Sequence, residues 1–171
     1  MLLLLDKGVI RISSKGFWNS VRSKPLTAAQ KGAVDLINLA LPDTLFISSK
    51  TFNLFIRYVP SAVQNQTQSK FIVLEPRRYH HRWARRLRFF GFSREDAYEL
   101  ALTSFGGTQQ PTVLGVDIFV TFDLRLIGRF EVNLPAIQQR FRRMTSHLQP
   151  PYRDAMLPIL VTPQEILSVI G

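Results

Sequence analysis

The sequence predicts an α/β protein built on one parallel sheet with helices on both faces. Short apolar segments typical of strands alternate along the chain with longer segments of helical periodicity. One of these strands, within Val116–Asp123 ("VDIFVTFD"), is apolar at consecutive positions, as expected of a strand buried on both faces. Two strands end on an aspartate, Asp6 and Asp123. Ligand sites in such folds lie at the carboxyl ends of the strands, so both aspartates are site candidates.

The first half of the chain contains three predicted strands and two predicted helices. The strands are expected at Leu2–Leu5, Thr44–Ser48 and Phe71–Pro76. Thr27 has the properties of an N-cap and precedes a helix that ends near Pro42, and a second helix ends at Pro60. Polar composition predicts loops at Ser13–Pro25 and Ser61–Ser69.

The second half contains three predicted helices, a buried strand and a final strand–helix pair. The helices are expected at Tyr79–Phe90, closed by Gly91, at Arg94–Phe105, closed by Gly106-Gly107, and at Ala136–His147, opened by Pro135. Pro158–Leu167 supplies the last strand and a short helix. No internal repeat is visible, and 171 residues suffice for one core, so residues 1–171 are expected to form a single domain.

Composition favours a polyanionic partner. Lys and Arg number 22 against 12 acids, a net charge of +10, and sixteen of the 22 are Arg, whose planar donors suit phosphate. Nucleic acid is the usual partner of such a chain, and the alternatives are a solvated basic surface or a face that docks an acidic protein. The absence of Cys excludes disulfides and thiolate zinc sites. The apolar run "MLLLL" stops at Asp6, too short for a membrane span or signal peptide, so a cytoplasmic location without a membrane is expected.

Three aspartates are placed where a parallel sheet could bring carboxylates together. Asp6 and Asp123 each end a predicted strand, and Asp96 borders the apolar face of the helix at Arg94–Phe105. Each has a structural alternative. Ser93 to Asp96 resembles a capping box, and aspartate is common in the turn that follows a strand.

The functional interpretation of these aspartates depends on all three acting together. Converging carboxylates repel one another unless cations neutralise them, and their hard oxygens suit Mg²⁺ or Mn²⁺. Such ions can activate water and stabilise an in-line displacement at phosphorus. A basic protein that offers this site is therefore predicted to be a nuclease.

Five segments follow the order of segments in a known nuclease family. They are "LLLLD", "LFISSKTFNLFIR", "RWARRLRFFGFSREDAYELAL", "GVDIFVTFD" and "ILVTPQEIL". At these segments the sequence resembles the PIN-domain nucleases, a family that includes the toxins of many bacterial toxin–antitoxin pairs. The resemblance extends over most of the chain, although the individual motifs are short. The most specific pieces are "GVDIFVTFD", with its strand, threonine and aspartate, and the C-terminal segment.

The resemblance implies a three-layer Rossmann-like sandwich with a central parallel sheet, and metal-dependent cleavage of RNA. Asp6, Asp96 and Asp123 would bind Mg²⁺ or Mn²⁺, and Thr121 would complete the catalytic set by orienting the site through its hydroxyl. Glu99, one turn beyond Asp96, could add a ligand. The implied partners are RNA, an antitoxin-like protein and, by family habit, a second copy of the chain.

Several positions depart from the acidic pattern of the family. Asp6 is followed by Lys7, the helix after the second strand carries Asn53 and Leu54 instead of a glutamate, and Arg125 occupies the position of a further acid. Fewer carboxylates mean weaker metal binding. A second hypothesis is therefore a PIN-like domain that binds RNA or a protein partner without cleavage. A third is a basic scaffold with no role in binding nucleic acid.

The segment "PRRYHHRWARRLRFFGF" carries the predicted nucleic-acid contacts. Tyr79, Trp83, Leu87 and Phe90 recur at helical spacing and predict the buried side of a helix. The predicted phosphate contacts are Arg77, Arg78, Arg82, Arg85 and Arg86. The alternative is a solvated face or a docking surface for an acidic partner. The later segment "QRFRRMTSHLQPPYR" is also basic and could extend this surface.

Overall fold

A computed structural model describes residues 1–109 and 112–170 of the chain. These residues form an α/β architecture with eight α-helices and a mixed sheet. The strands are β1 (Leu3–Leu5), β2 (Leu45–Ser48), β3 (Phe71–Pro76), β4 (Gly106–Thr108), β5 (Val113–Leu114), β6 (Ile118–Val120) and β7 (Ile159–Val161). Their order in the sheet is β5-β4-β3-β2-β1-β6-β7. The helices are α1 (Lys7–Val21), α2 (Ala28–Leu39), α3 (Ser49–Tyr58), α4 (Ser61–Thr67), α5 (His80–Arg88), α6 (Arg94–Phe105), α7 (Leu124–Thr145) and α8 (Pro163–Ile170). None of these helices is both long and apolar enough to cross a membrane.

The described residues pack into two compact units, each of which is discontinuous in sequence. Unit 1 comprises Met1, Leu74–Phe119 and Asp123–Leu160. Unit 2 comprises Leu2–Val73, Val120–Phe122 and the chain from Val161 onward. The expectation of a single domain over residues 1–171 stays a prediction.

Unit 2 is built on a pair of parallel strands. In β1 and β2, Leu3 lies opposite Leu45 and Leu4 lies opposite Phe46, and every residue of both strands is buried. Helix α1 packs against α2 and α3, and α8 packs against α2. Thr27 caps α2 as expected, since its hydroxyl accepts the N–H of Gln30 while the Gln30 side chain accepts the N–H of Thr27. Strands β1 and β2 confirm the strands that the sequence predicts at Leu2–Leu5 and Thr44–Ser48.

Helix α1 replaces the loop expected at Ser13–Pro25. Its buried side contains Ile10, Ser13 and Phe17, at helical spacing, but the middle position is polar. The Ser13 hydroxyl donates to the carbonyl of Ile10 at 2.9 Å, which satisfies it inside the core. Gly16 allows close approach of α2, because a Cβ there would lie 2.8 Å from a methyl group of Val34. Small residues on the buried side of α1 therefore interrupt the apolar pattern that would have predicted this helix from the sequence.

Helix α4 replaces most of the loop expected at Ser61–Ser69. The Gln64 amide donates to the carbonyls of Ile56 and Val59 at 2.7 and 2.6 Å, and so satisfies the end of α3. Thr67 is buried and its hydroxyl donates to the carbonyl of Val63. A 3₁₀ turn follows at Gln68–Lys70. Side-chain hydrogen bonds thus hold a segment that has no apolar periodicity.

The strands of unit 1 correct the expectation of a wholly parallel sheet. Strand β4 pairs antiparallel with β3, where Glu75 lies opposite Gly107, and antiparallel with β5, where Gly107 lies opposite Leu114. Gly106 and Gly107 directly follow the end of α6, as expected. They also belong to β4, where a Cβ on Gly106 would lie 2.5 Å from the carbonyl oxygen of Leu102. The α/β class is confirmed, and the sheet is mixed.

Helix α7 begins well before the expected start at Pro135. It begins at Leu124, and Pro135 lies inside it. Proline lacks an N–H and so removes one helical hydrogen bond, a cost that a long and partly buried helix can absorb. Helices α5 and α6 lie where the sequence predicts them, and α6 has the predicted bounds Arg94–Phe105.

Candidate functional site

Asp6 and Thr121, two of the predicted catalytic residues, are in direct contact in unit 2. Asp6 directly follows β1, and its N–H donates to the carbonyl of Val120 at the end of β6. The N–H of Thr121 donates to the carbonyl of Val161 at the end of β7. The Thr121 side chain is fully buried, and its hydroxyl donates to Asp6 Oδ2 at 3.0 Å. The carboxylate therefore lies where the ends of these strands meet.

Burial determines the electrostatics of Asp6. The half-buried carboxyl loses hydration, and this raises the pKa of Asp6 above its usual value. The hydrogen bond from Thr121 opposes the rise, and so do the N–H groups of Gly8 and Lys7 and the charge of Lys7. Gly8 keeps space open beside the carboxylate, since a Cβ there would lie 3.1 Å from Oδ2. A cation at this carboxylate would favour its ionised form.

Asp96 stabilises the start of α6 in unit 1. Ser93 is the N-cap of that helix, and its oxygen accepts the N–H of Asp96 at 3.0 Å. The Ser93 hydroxyl in turn donates to Asp96 Oδ2 at 2.7 Å. Asp96 therefore takes part in capping α6, which is the structural role that the sequence offered as an alternative to metal binding. Glu99 lies one turn later on the same helix and is buried, with 6% of its surface exposed.

Asp123 is the N-cap of α7. Its Oδ1 accepts the N–H groups of Arg125 and Leu126, each at 3.0 Å. Arg125 therefore contributes its backbone to this contact, and its side chain is exposed. Capping explains why a carboxylate follows the buried strand β6.

The predicted metal ligands are divided between the two units. Asp6 and Thr121 lie in unit 2, whereas Asp96, Glu99 and Asp123 lie in unit 1. Within residues 1–109 and 112–170, no group of three or more histidine, aspartate or glutamate side chains is placed to hold a metal ion. The donors are hard carboxylate oxygens of the kind that Mg²⁺ and Mn²⁺ prefer. Ligation by Asp6, Asp96 and Asp123 stays a prediction.

A basic groove, the arginine groove, lies in unit 1 along α5 and α7. Six arginines line it: Arg82, Arg85, Arg86, Arg88, Arg140 and Arg143. It consists of three adjoining cavities of about 660, 330 and 450 Å³, and Arg86 and Arg140 line all three. No carboxylate is among the described residues that line them. The groove therefore combines a high positive charge with space for a ligand.

The buried side of α5 fixes this helix in unit 1. Trp83 and Leu87 are fully buried, as their spacing predicts, and the ring of Trp83 packs edge-on against Phe141 of α7 with 4.9 Å between the centroids. Tyr79 and Phe90, the other members of the predicted stripe, are half-buried. Three of the five predicted phosphate contacts, Arg82, Arg85 and Arg86, line the arginine groove.

Arg77 and Arg78 line none of the three cavities. The guanidinium of Arg78 instead lies over the ring of Tyr79, 5.0 Å from its centroid. The contribution of α7, from Arg140 and Arg143, comes from the second basic segment of the sequence. Phe89 also lines the groove, and sequence reasoning missed it because the neighbouring Phe90 fits the apolar stripe.

Arg86 is the most constrained cation of the groove. It is half-buried, and its Nε is buried without a hydrogen-bond partner among the described residues. Burial lowers the pKa of Arg86, and the charges of Arg140, Arg82 and Arg85 lower it further. Mutual repulsion of this kind is relieved when an anion binds between the guanidinium groups.

The described residues thus offer two candidate features, the arginine groove in unit 1 and the contact of Asp6 with Thr121 in unit 2. The arginine groove has the chemistry of an anion-binding surface. In the contact with Thr121, a hydrogen bond holds the Asp6 carboxylate in place. Comparison with models of protein families, with curated proteins and with solved structures finds no match for this chain.

Proposed function

We propose that this protein binds RNA and hydrolyses its phosphodiester bonds as a metal-dependent ribonuclease of the PIN type. The observation that carries the proposal is the arginine groove, because six arginines without a carboxylate among the described lining residues favour a ligand with several negative charges. The contact of Thr121 with Asp6 and the resemblance to PIN nucleases support the hydrolytic part.

RNA binding at the groove would be electrostatic. Guanidinium groups donate to phosphate oxygens in a planar fork, and contacts of this type position a nucleic acid without reading its sequence. Neutralising phosphates releases counterions, so the affinity should fall steeply as salt rises. The net charge of +10 supports the same partner.

Hydrolysis would take place at the carboxylates. Asp6, Asp96 and Asp123 would hold Mg²⁺ or Mn²⁺, which when bound lowers the pKa of water and stabilises charge at phosphorus. Thr121 would act as a positioning residue, because its hydroxyl holds one oxygen of Asp6 in place. Glu99 is buried on α6, one turn from Asp96, and would add a metal ligand beside that residue.

A second candidate is a PIN-like domain that binds RNA without cleaving it. The helix caps favour this candidate, because the carboxylates of Asp96 and Asp123 already accept hydrogen bonds at the N-termini of α6 and α7. The donors are Ser93 for Asp96, and Arg125 and Leu126 for Asp123. The missing acids at Asn53 and Arg125 favour it as well. A role in a toxin–antitoxin pair, an antitoxin-like partner and a homodimer remain predictions from the resemblance.

The test is cleavage of a fluorophore-quencher RNA with Mn²⁺ and with excess chelator. We expect metal-dependent cleavage by the wild type, and a loss of at least about a hundredfold in Asp6→Asn and Asp123→Asn, because each removes a ligand charge. Asp154→Asn, which removes an exposed carboxylate outside the site, is the matched control. Salt-sensitive RNA binding without cleavage would select the second candidate. Absence of binding at low salt would reject both.

A further inference from the structure

We infer that the arginine groove takes a single-stranded segment of nucleic acid and that Phe89 stacks against one of its bases. The inference rests on the proposed RNA binding and adds two things to it, the strand state of the ligand and a contact residue. It does not depend on cleavage.

Phe89 is unusually exposed for its position. Its side chain is 86% exposed, the highest value among the exposed large apolar residues of the described chain, while Leu87 and Trp83 on the same helix are fully buried. A single exposed apolar side chain is ordinary on a protein surface. Phe89 differs because it lines two of the three cavities and has Arg86 and Arg140 beside it in both.

The end of α5 holds Phe89 firmly. Its N–H donates to the carbonyl of Arg86 at 3.1 Å, and the N–H of Gly91 donates to the carbonyl of Arg88 at 3.1 Å. Gly91 has φ +85°, which reverses the chain, and the guanidinium of Arg129 donates to its carbonyl. The ring is thus presented from a fixed backbone, which reduces the entropy lost when a ligand stacks on it.

Each of the three cavities is lined by at least three arginines. Arg86 and Arg140 line all three, Arg82 also lines those of about 660 and 450 Å³, and Arg143 lines those of about 330 and 450 Å³. A groove of cations that tracks a backbone, together with an aromatic ring on which a base stacks, is the usual arrangement of single-strand binding proteins.

The exposed ring of Phe89 predicts that the bound nucleic acid is single-stranded. In a duplex both faces of each base are covered by its neighbours, so stacking on Phe89 would require unstacking, which costs free energy. A single strand presents its base faces without that cost. An acidic peptide could satisfy the arginines but offers no planar base to the ring, so its affinity should not depend on an aromatic side chain at position 89.

The test compares a fluorescein-labelled ten-nucleotide RNA with its duplex by anisotropy in excess chelator, so that cleavage does not interfere. We expect the single strand to bind more tightly. Phe89→Leu should weaken its binding by about 5- to 150-fold, the range for loss of one stacked base, and leave duplex binding nearly unchanged. Phe89→Tyr should retain the affinity. Val132→Ala, at another exposed apolar residue of unit 1, is the control.

A second set of measurements separates the contribution of base stacking to RNA affinity from that of charge. Arg140→Gln should weaken both RNAs and reduce the slope of log affinity against log salt by about 1, whereas Phe89→Leu should leave that slope unchanged. Arg11→Gln, which removes an exposed arginine outside the groove, is the matched control. 2-Aminopurine placed in the strand should be quenched by the wild type and by Phe89→Tyr but not by Phe89→Leu.

Each outcome decides between the proposals. If Arg140→Gln weakens RNA binding but Phe89→Leu does not, the stacking inference fails and RNA binding stands. Equal affinity for duplex and single strand likewise overturns the inference. Equal displacement of the RNA by polyglutamate of matched charge would identify the groove as a site for an acidic protein. If no RNA binds at low salt, the proposed function fails together with the inference.

Discussion

The hydroxyl of Thr121 lies 3.0 Å from Oδ2 of Asp6, although 115 positions separate the two residues in sequence. The threonine is fully buried at the end of one strand, and the aspartate is half-buried at the end of another. A hydrogen bond to a carboxylate that has lost hydration is worth more than one at the surface. This contact therefore stabilises unit 2 and fixes the carboxylate in one orientation.

Replacing Thr121 by valine should destabilise the protein. The substitution keeps the shape of the side chain but leaves the Asp6 carboxylate with one donor fewer, at a cost of about 1–3 kcal/mol at neutral pH. Thr121→Ser, which retains the hydroxyl, should lose less. Urea unfolding of the three proteins at pH 7 measures the difference. Equal stability of the valine and serine variants would show that the hydrogen bond contributes nothing.

Replacing Asp6 by asparagine should stabilise the metal-free protein at neutral pH. Burial raises the pKa of Asp6 in the folded chain above the usual 3.8, so the folded state binds this proton more readily than the unfolded state. Its contribution to stability is therefore present below about pH 3.8 and is lost as the pH rises through the folded pKa. Unfolding curves of wild type and Asp6→Asn from pH 3 to 7 should diverge as pH rises. A less stable variant at pH 7 would contradict this.

Protonation of His80 should weaken the fold in mild acid. The ring is fully buried, its Nε2–H donates to the carbonyl of Tyr98 at 3.0 Å, and burial lowers the pKa of His80 from 6.5. The unfolded chain then binds this proton more readily, so stability falls as pH drops below about 6.5. His80→Gln should flatten that part of the profile, whereas His147→Gln, at an exposed histidine, should not. Parallel profiles of wild type and His80→Gln would rule out this role.

Two glycines should respond in opposite directions to alanine. A Cβ on Gly106 would lie 2.5 Å from the carbonyl oxygen of Leu102 and 2.7 Å from the Leu74 side chain, so Gly106→Ala should cost about 1–3 kcal/mol of stability. Gly128 lies inside α7, where a Cβ would have none of the described neighbours within 4 Å, and Gly128→Ala should add about 0.5–1 kcal/mol. Thermal unfolding of both variants measures the contrast. A neutral Gly106→Ala would mean that β4 can move away from α6.

Local signals predicted the elements that have clear caps and apolar periodicity. Helix α6 begins at a serine cap and ends before two glycines, and α2 begins at Thr27 with a complete capping box. The sequence did not predict α1, because Ser13 and Gly16 occupy its buried face and interrupt the apolar stripe. It did not predict the antiparallel pairing of β4 either, since strand direction depends on neighbours distant in sequence.

The candidate site was predictable to the extent that residue type determines its chemistry. The arginines of α5 and the basic segment that begins in the last part of α7 were both identified, and the structure places Arg86 and Arg140 in one groove. Phe89 was not predicted as a groove residue, because helical spacing placed Phe90 on the buried stripe but does not show which outward side chains line a groove. The alternative for Asp96 was a capping box that starts at Ser93, and Ser93 does cap α6 at Asp96. The alternative for Asp123 was the turn that follows a strand, and the structure shows that Asp123 caps α7 there.

The interleaved sequence of the two units has a consequence for synthesis on the ribosome. The strands β1 and β2 and the helices α1 to α3 leave the ribosome early, but unit 2 also needs Val120–Phe122 and the chain from Val161 onward. Helix α8 packs on α2, and a Cβ on Gly32 would lie 2.9 Å from the Gln164 amide, so this late helix covers an early one closely. During translation the part of α2 that α8 covers therefore stays exposed until α8 is made, and in that interval it is accessible to chaperones and to aggregation.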